Sequence, residues 1–174
     1  MFLSNKTISR YIHEGKIIVQ GYLHIETKGI TVNLGDELLL PKEGQLFDTK
    51  KPEKLKYDKY DLSKKPYILK PNDFVLGCTQ QSVRTDRDII TMLDGRSTYA
   101  RAGMTIHLTA LVLDGVPFSS EISVLEIKNL GKFDIVLHPG EKIGTYLFAQ
   151  LSEPIVGDKT SKYTDQRGVT PPRI

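Results

Sequence analysis

The sequence predicts one mostly β domain with a single short helix near the N-terminus. Its 174 residues, 39% hydrophobic and 26% charged, suit one folded domain with a packed core. Short apolar runs recur about every 8–12 residues with turn residues between them, which is typical of a β-sandwich or barrel. Only one segment carries apolar residues at helical spacing. We therefore expect strands throughout, preceded by one helix.

The helix is predicted in the first fifteen residues. Ile8, Tyr11 and Ile12 follow one another at spacings of three and four residues, which places them on one helix face. Ser4 or Asn5 is a suitable N-cap, and Gly15 is a suitable end. A β-branched run at 16–20 then predicts the first strand.

Further strands are predicted where apolar residues cluster between turn residues. These stretches are 30–40 around a turn at Gly35-Asp36, 67–69, 74–79, 105–113, 121–127, 133–137 and 142–151. Residues 128–132 predict a hairpin-like connection between the two strands that flank them. Residues 49–65 hold seven lysines interleaved with acidic residues, which predicts an exposed loop. Residues 157–174 contain few core-forming residues and read as a tail.

Composition excludes several classes of protein. With 24 basic and 21 acidic residues, the chain lacks the charge of a protein that coats nucleic acid. No apolar run reaches the ~18 residues of a membrane span, and residues 1–16 lack the apolar core of a signal peptide. The single cysteine, Cys78, excludes an internal disulfide. We expect a cytoplasmic protein that binds neither membrane nor nucleic acid.

The sequence also excludes several kinds of active site. Zinc nucleobase deaminases need two cysteines with a third ligand, and one cysteine cannot supply that set. The histidines show no ligand spacing; they are His13, His24, His107 and His138. There is no phosphate-binding G-x-x-x-x-G-K-[ST] loop, and Ser97 does not stand in a G-x-S-x-G elbow.

Three polar features remain as candidates for a site. Residues 93–103 combine two arginines, hydroxyl groups and glycines, as a phosphate cradle does, although a surface turn fits equally well. Glu126 stands inside an apolar strand, where a carboxylate is an acid–base catalyst, a partner for an arginine, or simply solvent-facing. Residues 161–168 place a lysine, a glutamine and an arginine on the tail, suited to clamping an anion.

Together these segments resemble the dCTP deaminase family of the dUTPase-like superfamily. The specific motif is G-R-S-T-Y-A-R at 95–101, similar to the family's G-[RK]-S-[ST]-x-[AG]-R. Weaker similarities lie in M-F-L-S-N-K-T-I at 1–8, in V-N-L-G at 32–35, in H-L-T-A at 107–110 with L-E at 125–126, in P-G-E-K-I-G at 139–144 and in the tail from residue 161.

The resemblance implies an architecture and an activity. The expected fold is a distorted β-barrel or jelly roll that forms a single domain over 1–174. It is expected to assemble as a homotrimer with active sites between subunits, and residues 157–174 close over the nucleotide. The implied reaction converts dCTP to dUTP and ammonia, in the supply of dUTP and dTTP. Mg²⁺ is expected to arrive on the triphosphate, zinc to be absent, and dUTP or dTTP to bind as product or feedback ligand.

Residue roles follow from the resemblance alone. Glu126 is implied as the general base and acid, while Ser97 and Arg101 position the attacking water. Asp114 would contact the deoxyribose, and Lys162 and Gln166 would reach the triphosphate from the tail. The full substrate-binding set is Arg96, Ser97, Thr98, Tyr99, Ala100, Arg101, Ala110, Asp114, Val124, Leu125, Glu126, Lys162 and Gln166. No metal ligand is among them.

Departures from the family pattern leave alternatives open. The stretch from Asp114 to Glu126 is about two residues longer than usual, with Pro117 inside it. Leu111 and Thr145 stand where many bifunctional members carry glycine and glutamine, which favours deamination without further hydrolysis. The alternatives are a bifunctional enzyme that releases dUMP and pyrophosphate, and a nucleotide-binding trimer without catalysis.

Overall fold

The computed structural model describes residues 1–51, 53–113, 117, 121–157, 163 and 166–173, with the main chain alone at Glu121. Its helices are α1 (Asn5–His13) and α2 (Ser97–Arg101). Its strands are β1 (Ile17–Gln20), β2 (Ile25–Glu26), β3 (Gly29–Asn33), β4 (Glu37–Pro41), β5 (Tyr57–Asp61), β6 (Tyr67–Leu69), β7 (Phe74–Thr85), β8 (Ile89–Gly95), β9 (Met104–Thr105), β10 (Val112–Leu113), β11 (Glu121–Asn129), β12 (Ile135–Leu137) and β13 (Lys142–Gln150).

Two antiparallel sheets carry the fold. The larger runs in the order β5-β4-β7-β11-β9, with β1 also paired to β7, and the second runs β10-β8-β13-β3-β2. Strands β6 and β12 form a small separate pair. The mostly β prediction is confirmed, and the arrangement is a distorted jelly roll. In the described part of the chain, no helix combines the length and apolar character that crossing a bilayer needs.

The main core lies between these sheets because alternate side chains of each point inward. Val83, Leu125 and Ile127 enter it from the larger sheet, and Tyr146 and Phe148 enter it from the second. All five are buried. Burial of this many large apolar groups supplies the main driving force for folding.

A second, smaller apolar cluster covers the other face of the larger sheet. Leu39, Leu76 and Cys78 project from β4 and β7 and are joined by Val169 from the tail. Val169 is only 9% exposed, so this part of the tail packs on its own chain. The outer face of the larger sheet therefore carries a structured surface as well.

Several predicted elements are confirmed. Helix α1 begins after Ser4, and Gly15 beyond its end has a φ of 75°. The β-branched run forms β1, the stretch around Gly35-Asp36 forms β3 and β4, and β13 covers nearly all of 142–151. In each case the local residue pattern and the tertiary packing favour the same structure.

Four predictions about elements were wrong. Residues 105–113 do not form one buried strand, because strand structure breaks off after Thr105 and returns only at Val112. The stretches 121–127 and 133–137 are strands but do not pair as a hairpin; β11 pairs with β7 and β9, and β12 pairs with β6. The lysine-rich 49–65 stretch contains strand β5, which pairs with β4. Helix α2 is a second helix that the sequence analysis missed.

Gly103 connects α2 to β9 under two constraints. Its φ is 80°, and a Cβ atom there would lie 2.6 Å from the Gly131 nitrogen. Gly15 has a similar φ of 75° but nothing within 4 Å of such an atom. Gly15→Ala therefore tests backbone strain alone, whereas Gly103→Ala adds a steric clash to a similar strain.

We expect Gly15→Ala to lower the free energy of unfolding by about 1 kcal/mol. We expect Gly103→Ala to lower it by about 2–4 kcal/mol, because overlap with a main-chain atom adds to the strain. Urea unfolding of both variants and the parent measures the difference. Equal losses would show that the contact with Gly131 relaxes freely.

Candidate active site

Strand β11 places Glu126 on the outer face of the larger sheet. Along this strand Leu125 and Ile127 point into the core, while Val124 and Glu126 point outward. The alternation follows from the two-residue period of a β-strand. Neighbouring β7 holds this strand in register, with Glu126 opposite Leu76. The carboxylate is therefore fixed to the most extensively paired part of the sheet.

Glu126 faces a cavity of about 850 Å³. The floor of the cavity is formed by β7 and β11. The irregular segment 108–110, strand β10, residues 47, 55 and 57, and the tail complete its lining. The lining side chains are mostly apolar; they include Phe47, Leu55, Tyr57, Phe74, Leu76, Leu108, Ala110, Ile122, Val124, Tyr163 and Pro172. The carboxylate is an isolated charged group in largely apolar surroundings.

These surroundings change the acidity of Glu126. Burial raises the pKa of its carboxyl above the ordinary glutamate value. The Leu108 N–H donates to its Oε2 at 3.3 Å and, with nearby His107, opposes this rise in pKa to a smaller extent. A raised pKa brings a carboxylate closer to the range in which it both accepts and returns a proton.

A buried hydroxyl network supports the floor of the cavity. The Ser123 and Tyr146 hydroxyls lie 2.9 Å apart, and the Tyr146 hydroxyl donates to Thr79 Oγ1 at 3.1 Å. The Ser123 N–H also donates to Thr79 Oγ1, at the point where β7 and β11 change register. Because these groups are buried and mutually bonded, they fix the strand just before Glu126.

A second cavity, of about 470 Å³, lies at the end of β8. Arg96, Ser97, Thr98 and Ala100 line it, together with Lys28, Glu26 and Asp94. Its lining is more polar than that of the Glu126 cavity, and it contains two basic side chains. The predicted phosphate-binding segment thus forms one wall of a real cavity.

Arg96 is already paired inside this cavity. Its Nη1 donates to Glu26 Oε1 at 2.8 Å, and the Thr31 hydroxyl donates to the same oxygen at 3.0 Å. Both charged side chains are partly buried, at 33% and 25% exposed. The Arg96 bond lowers the pKa of Glu26 below its ordinary value, and burial opposes it. This pair fixes the orientation of the guanidinium group beside the cavity.

Other predicted residues lie elsewhere. Tyr99 turns away from the second cavity; its hydroxyl donates to Glu141 Oε1 at 2.6 Å, and burial together with that bond raises its pKa to about 12. Arg101 ends α2 with an exposed side chain that forms no hydrogen bond or ion pair within the described residues. The Leu125 side chain is fully buried in the core. Asp114 and Lys162 lie outside the described residues.

Gln166 lies in the wall of the Glu126 cavity and anchors the tail there. Its Nε2 donates to the Ile122 carbonyl at 2.9 Å, and its Oε1 accepts from the Thr170 hydroxyl at 2.5 Å. The side chain is 7% exposed. In this structure the amide therefore bonds within the chain, and its predicted contact with a triphosphate stays a prediction.

Parts of both cavities were not predicted from the sequence. Leu55 lines the Glu126 cavity from the predicted loop 49–65, and Phe47 lines it from just before that loop; only their apolar character near lysines was a signal. Glu26 and Lys28 line the second cavity from the end of β2 and the turn after it, where the sequence has no motif. These residues reach the cavities through the pairing of strands that are distant in sequence.

Among the residues that the structure describes, none lines both cavities. Within this chain, Glu126 opens onto one cavity, and Ser97 with Thr98 onto the other. The segment 104–110 runs between them, since His107 lines one cavity and Leu108 the other. The His107 Nδ1 atom is buried without a hydrogen-bond partner among the described residues. A single chain does not bring the predicted catalytic residues into one cavity.

Comparison with known proteins decides the family. A family model described as dCTP deaminase-like matches residues 2–151, most of the chain. The chain belongs to the dCTP deaminase-like family. A relative from Methanosphaera stadtmanae, named "dCTP deaminase, dUMP-forming", is 32% identical over 95% of this chain and 90% of its own. The resemblance stated from the motifs is therefore confirmed.

Solved structures show that this dCTP deaminase-like chain shares the dUTPase fold. A 2'-deoxycytidine 5'-triphosphate deaminase from Agrobacterium tumefaciens matches with a TM-score of 0.63 and 14% identity, over 84% of this chain. This chain spans only 47% of that protein. EIAV dUTPase matches with a TM-score of 0.53 and 13% identity, over 84% of this chain and 98% of its own. The predicted fold class is confirmed.

The raised pKa of Glu126 has a consequence for stability that does not depend on activity. A carboxyl whose pKa is higher in the folded state destabilises the fold once pH rises above its unfolded value. We expect Glu126→Gln to unfold at a higher temperature than the parent at pH 7. The difference should disappear below about pH 4, where both states of the parent are protonated. Melting curves from pH 3.5 to 8 measure it, and a gap that persists at low pH would contradict the assignment to ionisation.

Proposed function

We propose that this chain deaminates dCTP to dUTP and ammonia. The observation that carries the proposal is a half-buried carboxylate, Glu126, in an apolar cavity large enough for a pyrimidine nucleoside. Membership of the dCTP deaminase-like family and the name of the Methanosphaera relative support it. The same family supports nucleotide binding, and the second cavity offers Arg96, Lys28 and two hydroxyl groups as donors to phosphate.

Glu126 acts as base and then as acid in the proposed reaction. Its carboxylate takes a proton from water, and the oxygen forms a bond to C4 of cytosine. Glu126 passes this proton to the ring N3. It then takes the second proton from the hydroxyl now on C4 and delivers it to the amino group, so the C4 carbonyl forms as the C4–N bond breaks and ammonia leaves. dCTP and water give dUTP and ammonia, so the reaction balances. Acid–base catalysis of this kind contributes about 10²–10⁴-fold.

We propose that Ser97 and Arg101 reach Glu126 from a neighbouring copy in a homotrimer. Two facts support this arrangement: no described residue of one chain lines both cavities, and Arg101 is exposed on α2. Charged donors that converge on the reacting ring would stabilise developing negative charge. Arg96, Ser97 and Thr98 would hold phosphate oxygens in the second cavity.

The substrate is proposed to bind as its magnesium complex. Mg²⁺ keeps most of its water and commonly binds through substrate phosphates, so the ion belongs to the triphosphate. Chemistry at C4 is assigned to Glu126, without zinc. We place the reaction in the cytoplasm, where dCTP is made and used.

A second candidate product is dUMP. The Methanosphaera relative, 32% identical along nearly the whole chain, is named dUMP-forming. This favours the bifunctional alternative, in which dUTP is hydrolysed at the same site to dUMP and pyrophosphate. Leu111 and Thr145 stand against it, so product analysis decides between the two.

We expect the protein to release ammonia from dCTP in the presence of Mg²⁺. We expect Glu126→Gln to lower kcat at least ~10²-fold, because an amide cannot take the proton from water. Chromatography of reactions with dCTP, dUTP and dTTP identifies the products. A zinc-specific chelator should leave the rate unchanged, and withdrawal of Mg²⁺ should lower it.

Glu153→Gln is the matched control, because Glu153 is exposed and lies outside both cavities. It should keep the parent rate. No ammonia from any nucleotide would reject the enzymatic proposal and leave a binding protein. Accumulation of dUTP supports deamination alone, and dUMP with pyrophosphate supports the bifunctional enzyme.

Assembly from two copies is tested by mixing inactive variants. If sites form between subunits, co-expressed Glu126→Gln and Arg101→Ala chains should regain activity, because about a quarter of randomly formed interfaces contain both native residues. Each variant alone should be inactive. If the co-expressed chains are as inactive as each variant alone, Glu126 and Arg101 of each site belong to the same chain, and the proposed arrangement is wrong.

A further inference from the structure

The segment 42–56 is fixed at its base by a glutamine side chain. Gln45 Nε2 donates to the carbonyls of Lys42 and Lys56 at 2.7 and 3.0 Å, and its Oε1 accepts from the Lys56 N–H at 2.6 Å. The Lys42 N–H also donates to the Lys56 carbonyl at 3.0 Å. These bonds extend the β4–β5 pairing and hold the two ends of the segment together. A segment closed in this way presents its side chains in defined directions.

Two apolar side chains of this segment line the Glu126 cavity. Phe47 and Leu55 form part of its wall, and Tyr57 follows at the start of β5. Leu46, next to Phe47, does not line the cavity and is 82% exposed, whereas Phe47 is 46% exposed. The segment is otherwise rich in lysine, and two of its three large apolar side chains line the cavity.

The tail meets the segment at this cavity. Tyr163 lies near enough to Tyr57 to contribute to the rise of its pKa, of which burial is the larger cause. Tyr163 and Pro172 line the same cavity as Phe47. The cavity that Glu126 enters is thus lined with aromatic and aliphatic side chains from this segment and from the tail.

We propose that Phe47 and Leu55 are specificity-determining contacts for the pyrimidine ring, and that Gln45 positions them. The inference rests on the proposed function, because it assumes that the ring lies beside Glu126. A flat aromatic base packs well on an aromatic face, and Phe47 and Leu55 line the same cavity as the reacting carboxylate. The segment would then select a planar ring, while the polar cavity selects phosphate.

The kinetic test compares neighbouring positions. Phe47→Ala should raise KM for dCTP about ten- to hundredfold, the usual range for loss of a base–aromatic contact. Leu46→Ala, on the same segment, should match the parent. Phe47→Leu should recover part of the loss, and Gln45→Ala should raise KM in the same direction. Inhibition by inorganic tripolyphosphate, which has no base, should be unchanged in all of them.

A binding test avoids turnover. The chain has no tryptophan, so Phe47→Trp in the Glu126→Gln background introduces a single reporter. Its emission should change on addition of dCTP and stay constant with tripolyphosphate, and Leu46→Trp should respond to neither. Melting temperatures of all variants establish that they fold.

The outcomes separate this inference from the proposed function. If the parent releases no ammonia from dCTP, the proposed function fails. Suppose that the parent is active, that Phe47→Ala has the same KM as Leu46→Ala, and that the Phe47→Trp emission does not change with dCTP. Phe47 then does not contact the base, and only this inference is overturned. A rise in the tripolyphosphate inhibition constant equal to that in KM would also overturn it, since the effect would then not concern the base.

Discussion

The alternation of side chains along β11 is the constraint on which the rest of this structure depends. Leu125 and Ile127 are fully buried between the two sheets, so the residue between them must face outward. A shift of one residue in register would bury the carboxylate of Glu126 and expose both aliphatic side chains, at a cost of several kcal/mol. The core therefore fixes where Glu126 points, and the apolar covering of the outer face determines its acidity.

The two cavities differ in chemistry. The Glu126 cavity has mostly apolar walls, whereas the second cavity is bordered by two basic and two acidic side chains and by hydroxyl groups. The segment 104–110 lies between them within one chain. This separation is the reason that the proposed site draws its residues from two copies.

Fold class, α1 and the strand with Glu126 were predictable because their residue patterns agree with their tertiary surroundings. The break in strand structure between Thr105 and Val112 was not predictable from the sequence. An apolar run looks the same in a sequence whether its side chains enter a core or face a cavity, as Leu108 and Ala110 do. Strand β5 was missed because its lysines suggested a loop, although pairing with β4 needs only its main chain. The motif at 95–101 indicated the family, but its separation from Glu126 depends on sheet pairing that sequence spacing does not encode.

Val169 and Gln166 attach the described part of the tail to this surface. Val169 fills a gap beside Cys78, whose thiol pKa burial raises to about 11, and Gln166 bonds to the edge of β11. Burial of one valine contributes about 1.5–3 kcal/mol, and a neutral hydrogen bond adds about 1 kcal/mol. This sum is small beside the stability of a whole domain. We therefore expect residues 166–173 to detach from the cavity wall more easily than the strands separate, which the predicted closure of the tail over a nucleotide would require.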